Sequence, residues 1–583
     1  MSFRTTLIVA IIFVVALGGY LAFKFAYKGE EKSEYVDIEE AYNLQRDQIV
    51  KIRLSYSDEE LQPITLEKRG DEWFLTEPIE APADPDKVKY LLDDLLDKRV
   101  KMRFKADDLA KYGLEKPQIV VSVWISPSKE PYREFLIGSK AIEYSVYAKE
   151  RSDPDVIAIE SSALDDFTKT PSDLRLRKIM RFALKEAKSL TLSYPGKPAI
   201  KLSKDEEGKW RMREPVETNA DQDAVKDVLE ELRDLRVAVF EDDFPKSLAK
   251  YGLDKPRAEI EIEYDGKTKK LLIGLKDDKT GRVYVKLASQ PFVYSVESDD
   301  VDGLFKKPFD LRDKTVIAFQ RFEADKIEII RGSEKLVCRK KGEAEWEIVE
   351  PVKVDADEVA VGDLLFALDS LKARRFVSEK AENLEKYGLK PPKVEIRVYE
   401  AGKPDVYFVK LGSKTKEGVY ALGSYSNAVV LISDSDFKKL DVTLLDLRTK
   451  QVWDIKTSDV VELELKHDGT EIKCLRKGYD WHIVSPVKEK ARNVAVSDMV
   501  YKVHDLKALR FVKERKPLSE LGLDKPQLLL KLKTRDGKTY ELKLGKEAEE
   551  GIYAKATGVD AIFTVGEDVL DELKKTLEDL REK

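Results

Sequence analysis

Cysteine and histidine are nearly missing from this chain. It has two cysteines and three histidines in 583 residues. Two cysteines cannot build a disulfide framework. Three histidines, all after residue 466, leave little for a metal centre or for imidazole acid–base chemistry. Glycine and proline, at 29 and 23, are too sparse for a collagen-like or disordered chain. A charge excess of one sign is missing too. Lys and Arg number 104 against 111 Asp and Glu, a formal net charge of −7, which argues against a general nucleic-acid binder. No glycine-rich loop precedes a helix with Lys-Ser or Lys-Thr, and no G-x-S-x-G, HExxH or CxxC occurs. The residues therefore nominate no catalytic, cofactor-binding or metal site.

Long apolar runs are also scarce, with one exception. Thr5 to Phe23 is 19 residues without a charge. At ~1.5 Å per residue it reaches about 28 Å, close to a hydrocarbon core of ~30 Å. We expect residues 1–28 to be a single-pass membrane anchor, followed by a linker at 29–35. The alternative is a cleaved signal peptide with Ala16-Leu17-Gly18 as the site, but the apolar run continues to Phe23. Arg4 and the α-amine on one side nearly balance Lys24, Lys28 and Lys32 on the other. The very short tail favours sending the body across. The expected location is the inner (cytoplasmic) membrane, with the body extracytoplasmic, on the periplasmic side.

What the chain has in abundance is repetition. Trp73, Trp210, Trp346 and Trp481 recur at intervals of 137, 136 and 135 residues. Each is followed at the fifth position by Pro78, Pro215, Pro351 or Pro486. Then come Tyr112-Gly113-Leu114, Tyr251-Gly252-Leu253, Tyr387-Gly388-Leu389 and Leu521-Gly522-Leu523, each with a proline four residues after its glycine. A later tyrosine follows at 147, 284, 420 and 553, and each copy closes on Asp-Leu-Arg, ending at Arg175, Arg312, Arg448 and Arg581. We read four modules at 36–175, 176–312, 313–448 and 449–583.

Within a module the hydrophobic period changes. In the first, Ile49 to Ser55 alternates like a half-buried strand, followed by strands at Ile64 to Lys68 and Trp73 to Leu75. Asp84 and Pro85 then read as the cap and first residue of a helix, with Val88, Leu91, Leu92 and Leu95 on one face. Asp221 and Val225, Val228, Leu229 and Leu232 repeat the pattern. Four more strands, at 119–125, 134–137, 145–149 and 156–160, and a short helix at 162–168 complete the unit. The expected fold is α+β: four tandem modules of about βββα-ββββα, antiparallel sheets backed by helices.

The markers read as architecture. The tryptophans sit among apolar strand neighbours and belong to cores. The glycine of Tyr-Gly-Leu supplies a positive φ at a helix end. Cys338 and Cys474 are one period apart, where Leu66 and Leu202 stand in the first two modules, so they read as small buried hydrophobes. His467, His482 and His504 occur only in the fourth module. The acid pairs Asp93-Asp94, Asp242-Asp243 and Glu549-Glu550 read as solvated faces. Asp-Leu-Arg has two readings: an Arg that pairs with an acid of the next module, or a solvated junction.

The module resembles the family called domain of unknown function 4340. The likeness rests on Trp-x4-Pro, the helix after it, Tyr-Gly-Leu-x-x-Pro, the glycines at 138, 274, 412 and 545, Tyr-Ala-Lys at 147–149 and 553–555, and the closing Leu-Arg. The fourth copy departs at Leu521. The resemblance implies a bacterial envelope protein with one anchor, often found beside transporters of the ATP-binding-cassette (ABC) type, and implies no catalytic residues. We therefore expect a non-enzymatic repeat scaffold, held in the membrane by Thr5–Phe23, with protein partners such as ABC-type transporter subunits. Four similar surfaces suit multivalent binding. The alternatives are an envelope hydrolase with its site in one diverged module and an extracytoplasmic ligand sensor.

Overall fold

A computed structural model describes residues 35–512 and 516–582. The Thr5–Phe23 span lies outside them. Among the described residues no helix is long and apolar enough to cross a membrane.

Each module forms one nine-stranded, wholly antiparallel sheet, and the four sheets repeat one strand order. In the first, the strands are β1 (Lys51–Tyr56), β2 (Ile64–Arg69), β3 (Glu72–Glu77), β4 (Ala81–Pro82), β5 (Met102–Lys105), β6 (Ile119–Trp124), β7 (Arg133–Lys140), β8 (Ser145–Glu150) and β9 (Asp155–Glu160). Their order is β4-β3-β2-β1-β6-β7-β8-β9-β5. Two four-strand meanders thus meet at the β1–β6 pair, where Ile52 faces Val123 and Leu54 faces Val121. All four of these side chains are buried. Alternation does this: Ile52 and Leu54 point into the core while Lys51 and Arg53 point away.

The α+β class and the fourfold repeat hold, but the module has nine strands rather than seven. The two additions are β4 and β5. A two-residue strand carries no alternation, and β5 is a short edge strand with mostly exposed side chains. These two edges are joined by the long helix Pro85–Leu96, which carries the chain from one margin of the sheet to the other.

That helix starts where expected. The Asp84 carboxylate accepts from the amides of Asp86 and Lys87, and Pro85 opens the first turn. Val88, Leu91, Leu92 and Leu95 are buried against the sheet. Gln222–Asp234 repeats this, with Asp221 accepting from the Ala224 amide. Trp210, Trp346 and Trp481 are buried, and Trp73 is half-buried against the same core.

The other face of the sheet is covered by the Tyr-Gly-Leu turn. Tyr112 meets Tyr147 edge-on with ring centroids 4.8 Å apart, and Tyr251–Tyr284 and Tyr387–Tyr420 repeat the pair at 5.0 Å. Gly113 has φ +68°, as the turn requires. Gly138 answers it from β7: a Cβ there would lie 2.3 Å from the Tyr112 carbonyl oxygen. Glycines 274, 412 and 545 stand in the same relation to residues 251, 387 and 521. The two glycine markers are therefore one device, a turn pressed onto a strand.

The first two sheets belong to one compact unit, ending at Asp313, and the last two to a second, beginning at Lys314.

Candidate functional site

The Asp-Leu-Arg triplet explains how modules join within each unit. Thr170 and Arg175 cap a four-residue helix, Pro171–Leu174, which contains the Asp and Leu of the triplet. Asp173 accepts from the Thr170 hydroxyl at 2.6 Å and the Thr170 amide at 2.7 Å, a capping box that recurs with Asp446 and Asp579. Leu174, Leu447 and Leu580 are buried. The chain then pairs with the segment before the long helix: Ala83 bridges Arg175, and the Asp84 amide donates to the Leu174 carbonyl at 2.8 Å.

The arginine side chain leaves the module it closes. Arg175 is 3% exposed, donates to Asp243 of the second module at 2.6 Å, and lies over Phe240 (4.0 Å) and Phe292 (4.8 Å). Arg448 repeats this in the second unit, pairing with Asp560 at 2.9 Å over Phe511 at 4.7 Å. So the paired-junction reading of the triplet holds at Arg175 and Arg448, and the solvated one fails there. A guanidinium suits this place because it can stack on a ring and bond a carboxylate at once. Phe240 and Phe511 share one register position on the edge strand; in the first module Arg103 stands there. The last arginine, Arg581, turns back to Glu489 and Glu578 of its own module.

The acid pair Asp242-Asp243 is therefore not a solvated face. Asp243 holds the joint, and Asp242 accepts from the Tyr251 hydroxyl at 2.9 Å and Lys250 at 3.2 Å. Asp93 pairs with Arg46. Glu549 is exposed, with Arg510 at 3.9 Å.

The remaining candidate residues do not converge. His467 is buried, with Nε2 2.8 Å from the Lys575 carbonyl oxygen. His482 lies on the strand Asp480–Ser485 and His504 ends the helix Asn493–His504. Among the described residues no group of three or more His, Cys, Asp or Glu is placed to hold a metal ion. Cys338 and Cys474 are free and fully buried in strands. Burial pushes their thiols up to about 12 and about 11, so neither offers a thiolate near neutral pH.

One difference between modules escaped the reading of the sequence. The outer face of the long helix changes character along the chain. Two residues after the cap stand Asp86 and Asp223 in the first two modules, but Val359 and Val494 in the last two. Nine after the cap stand Asp93 and Glu230, then Phe366 and Tyr501. These positions are seven apart, two turns on one face. Val359 and Phe366 are 73% and 56% exposed; Val494 and Tyr501 are 67% and 55% exposed. In the third module Phe322 joins them, and Arg321 lies over both phenylalanine rings, at 4.8 Å and 5.4 Å. Together with Trp346, Gly362 and Leu365 they line a groove of about 590 Å³. The first module's helix exposes one aromatic, Tyr90, elsewhere on its surface. Superposing the four helix sequences at their caps was the signal that would have found this.

Comparison with known proteins agrees with the repeat. The model of a family described as domain of unknown function (DUF4340) matches the chain four times, at residues 73–210, 210–345, 346–479 and 481–583. The first match runs from β3 of one sheet into the strand Trp210–Glu214 of the next, so it spans a joint. No curated protein matches the chain.

Proposed function

The chain belongs to the domain of unknown function (DUF4340) family, and we propose that it is a non-enzymatic scaffold of the bacterial envelope. In this reading Thr5–Phe23 anchors it in the inner membrane. The modules lie on the periplasmic side and bind protein partners, such as subunits of an ABC-type transport system. The repeated residues support a scaffold because the structure spends them on packing: tryptophan in cores, paired glycines under the turn, and Asp-Leu-Arg on the capping box, the core and the joint.

The observation that carries partner binding is the apolar outer face of the helix Glu358–Asp369. Exposed Val359 and Phe366 stand where the first two modules place acids, and exposed Phe322 lines the same groove. Such patches mark interaction surfaces on soluble domains. A partner would cover them at little cost to folding, since they add nothing to the core.

The test is a crosslinked pull-down from native membranes with the full chain and with Val359→Asp/Phe366→Glu. Recovery of ABC-type transporter subunits by the first and their loss with the second is the expected result. Equal recovery by both would remove this face from the function. Recovery of none by either would sink the transporter reading.

A further inference from the structure

The joint inside the first unit holds more than a structural arginine. A cavity of about 70 Å³ lies beside Arg175, walled by Ala81 and Pro82 of the first module and by Phe240 and Tyr294 of the second. Its charged lining is of one sign: Arg175, Lys178, Arg181 and Lys269. Carboxylates near these cations lie outside the lining. Asp243 takes Arg175 Nη1, Asp234 is 3.6 Å from Lys178, and Glu72 pairs with Arg181. Lys269 has no ion pair among the described residues; its ammonium lies 5.9 Å from the Tyr264 ring. Arg175 Nη2 is buried and makes no well-formed hydrogen bond. Its neighbour, the Tyr294 hydroxyl, donates to Gln290 at 3.0 Å.

On this side the guanidinium has the neutral Tyr294 hydroxyl beside it, and an anion in the cavity would give it a stronger, charge-assisted bond. The volume is that of a small ion. A single water needs only about 10–15 Å³ of such space, so a cavity of about 70 Å³ has room for a small oxyanion. We infer that the joint between the first and second modules is a binding site for a phosphate-type oxyanion, held by Arg175 Nη2, Arg181 and Lys269. The inference does not depend on the partner-binding reading.

The second unit provides an internal comparison. By position, Lys178, Arg181, Lys269 and Tyr294 correspond to Gln451, Asp454, Tyr540 and Phe563. The three flanking cations are gone there, although Arg448 keeps its buried ion pair. The site is thus an addition to one joint rather than a by-product of joining modules.

The test is calorimetric titration of the full detergent-solubilised chain with inorganic phosphate. One saturable site per chain is expected, weakening with added sodium chloride. Arg181→Gln/Lys269→Gln should weaken binding at least tenfold, while Lys226→Gln, an exposed cation on the helix Gln222–Asp234, should leave it unchanged. Melting curves of both variants confirm that they fold. A parallel titration with glycerol phosphate separates the sources: comparable affinity means that the site takes a phosphomonoester end, and binding of inorganic phosphate alone means that it takes the free ion. Absence of saturable binding, two sites per chain, or an unaffected double variant would each overturn the inference.

Discussion

Arg175 Nη1 lies 2.6 Å from Asp243 Oδ1, across the junction of the first and second modules, with the guanidinium carbon 4.0 Å from the centre of the Phe240 ring. A charge taken so far out of water is stable only while its partner stays. The joint is therefore a lock whose removal leaves Asp243 and two aromatic faces unmatched.

Arg175→Ala should cost the first unit about 2–3 kcal/mol, below the range for a fully buried pair because Asp243 is 35% exposed. Arg581→Ala, which removes an exposed pair at the end of the last module, should cost no more than about 1 kcal/mol. Chemical denaturation of the two variants measures the difference. Equal losses would mean that the joint carries no special energy.

The paired glycines make a second comparison. Gly274→Ala puts a Cβ 2.2 Å from the Tyr251 carbonyl oxygen, a backbone atom that can yield only if the turn moves. Gly266→Ala has open space and pays only for its positive φ of +68°. We expect about 2–4 kcal/mol for the first and about 1 kcal/mol for the second. Thermal unfolding checks the order, and hydrogen exchange at residues 249–256 should rise in the first variant alone.

The cysteines predict a pH effect. Burial raises both folded-state thiol values, to about 12 and about 11, above an unfolded value of about 8.5. Each group thus contributes stability that is complete below about pH 8.5 and is lost as the pH climbs toward the folded values. The second unit should weaken over that window, and Cys338→Val/Cys474→Val should flatten the loss. At pH 8 neither thiol should be alkylated until the chain is unfolded, which mass spectrometry reads directly.

The exposed helix face predicts a separation of folding from binding. Phe366→Ser removes a ring that is 56% exposed, so its effect on stability should stay within about 0.5 kcal/mol. Leu365→Ser, one residue away and buried, should cost several times more. A large loss from Phe366→Ser would make that ring part of the core rather than a surface.

The sequence by itself determined the four copies, the α+β class, the caps at Asp84 and Asp221, the buried faces of their helices, and the burial of Cys338 and Cys474. Each of these rests on local spacing, and spacing survives in a linear string. It missed β4 and β5, because short edge strands are made by what lies beside them rather than by alternation. Only the tertiary structure chose between the two readings of Asp-Leu-Arg. The acid that meets Arg175 comes from the segment after an edge strand, whereas the acid that meets Arg448 comes from the loop before the strand Phe563–Val565. No repeat position marks either one. The cavity beside Arg175 was hidden for the same reason: Arg175, Lys178 and Arg181 are close in the chain, but Lys269 is about 90 residues further on, and only the folded joint brings it to the same ion-sized space.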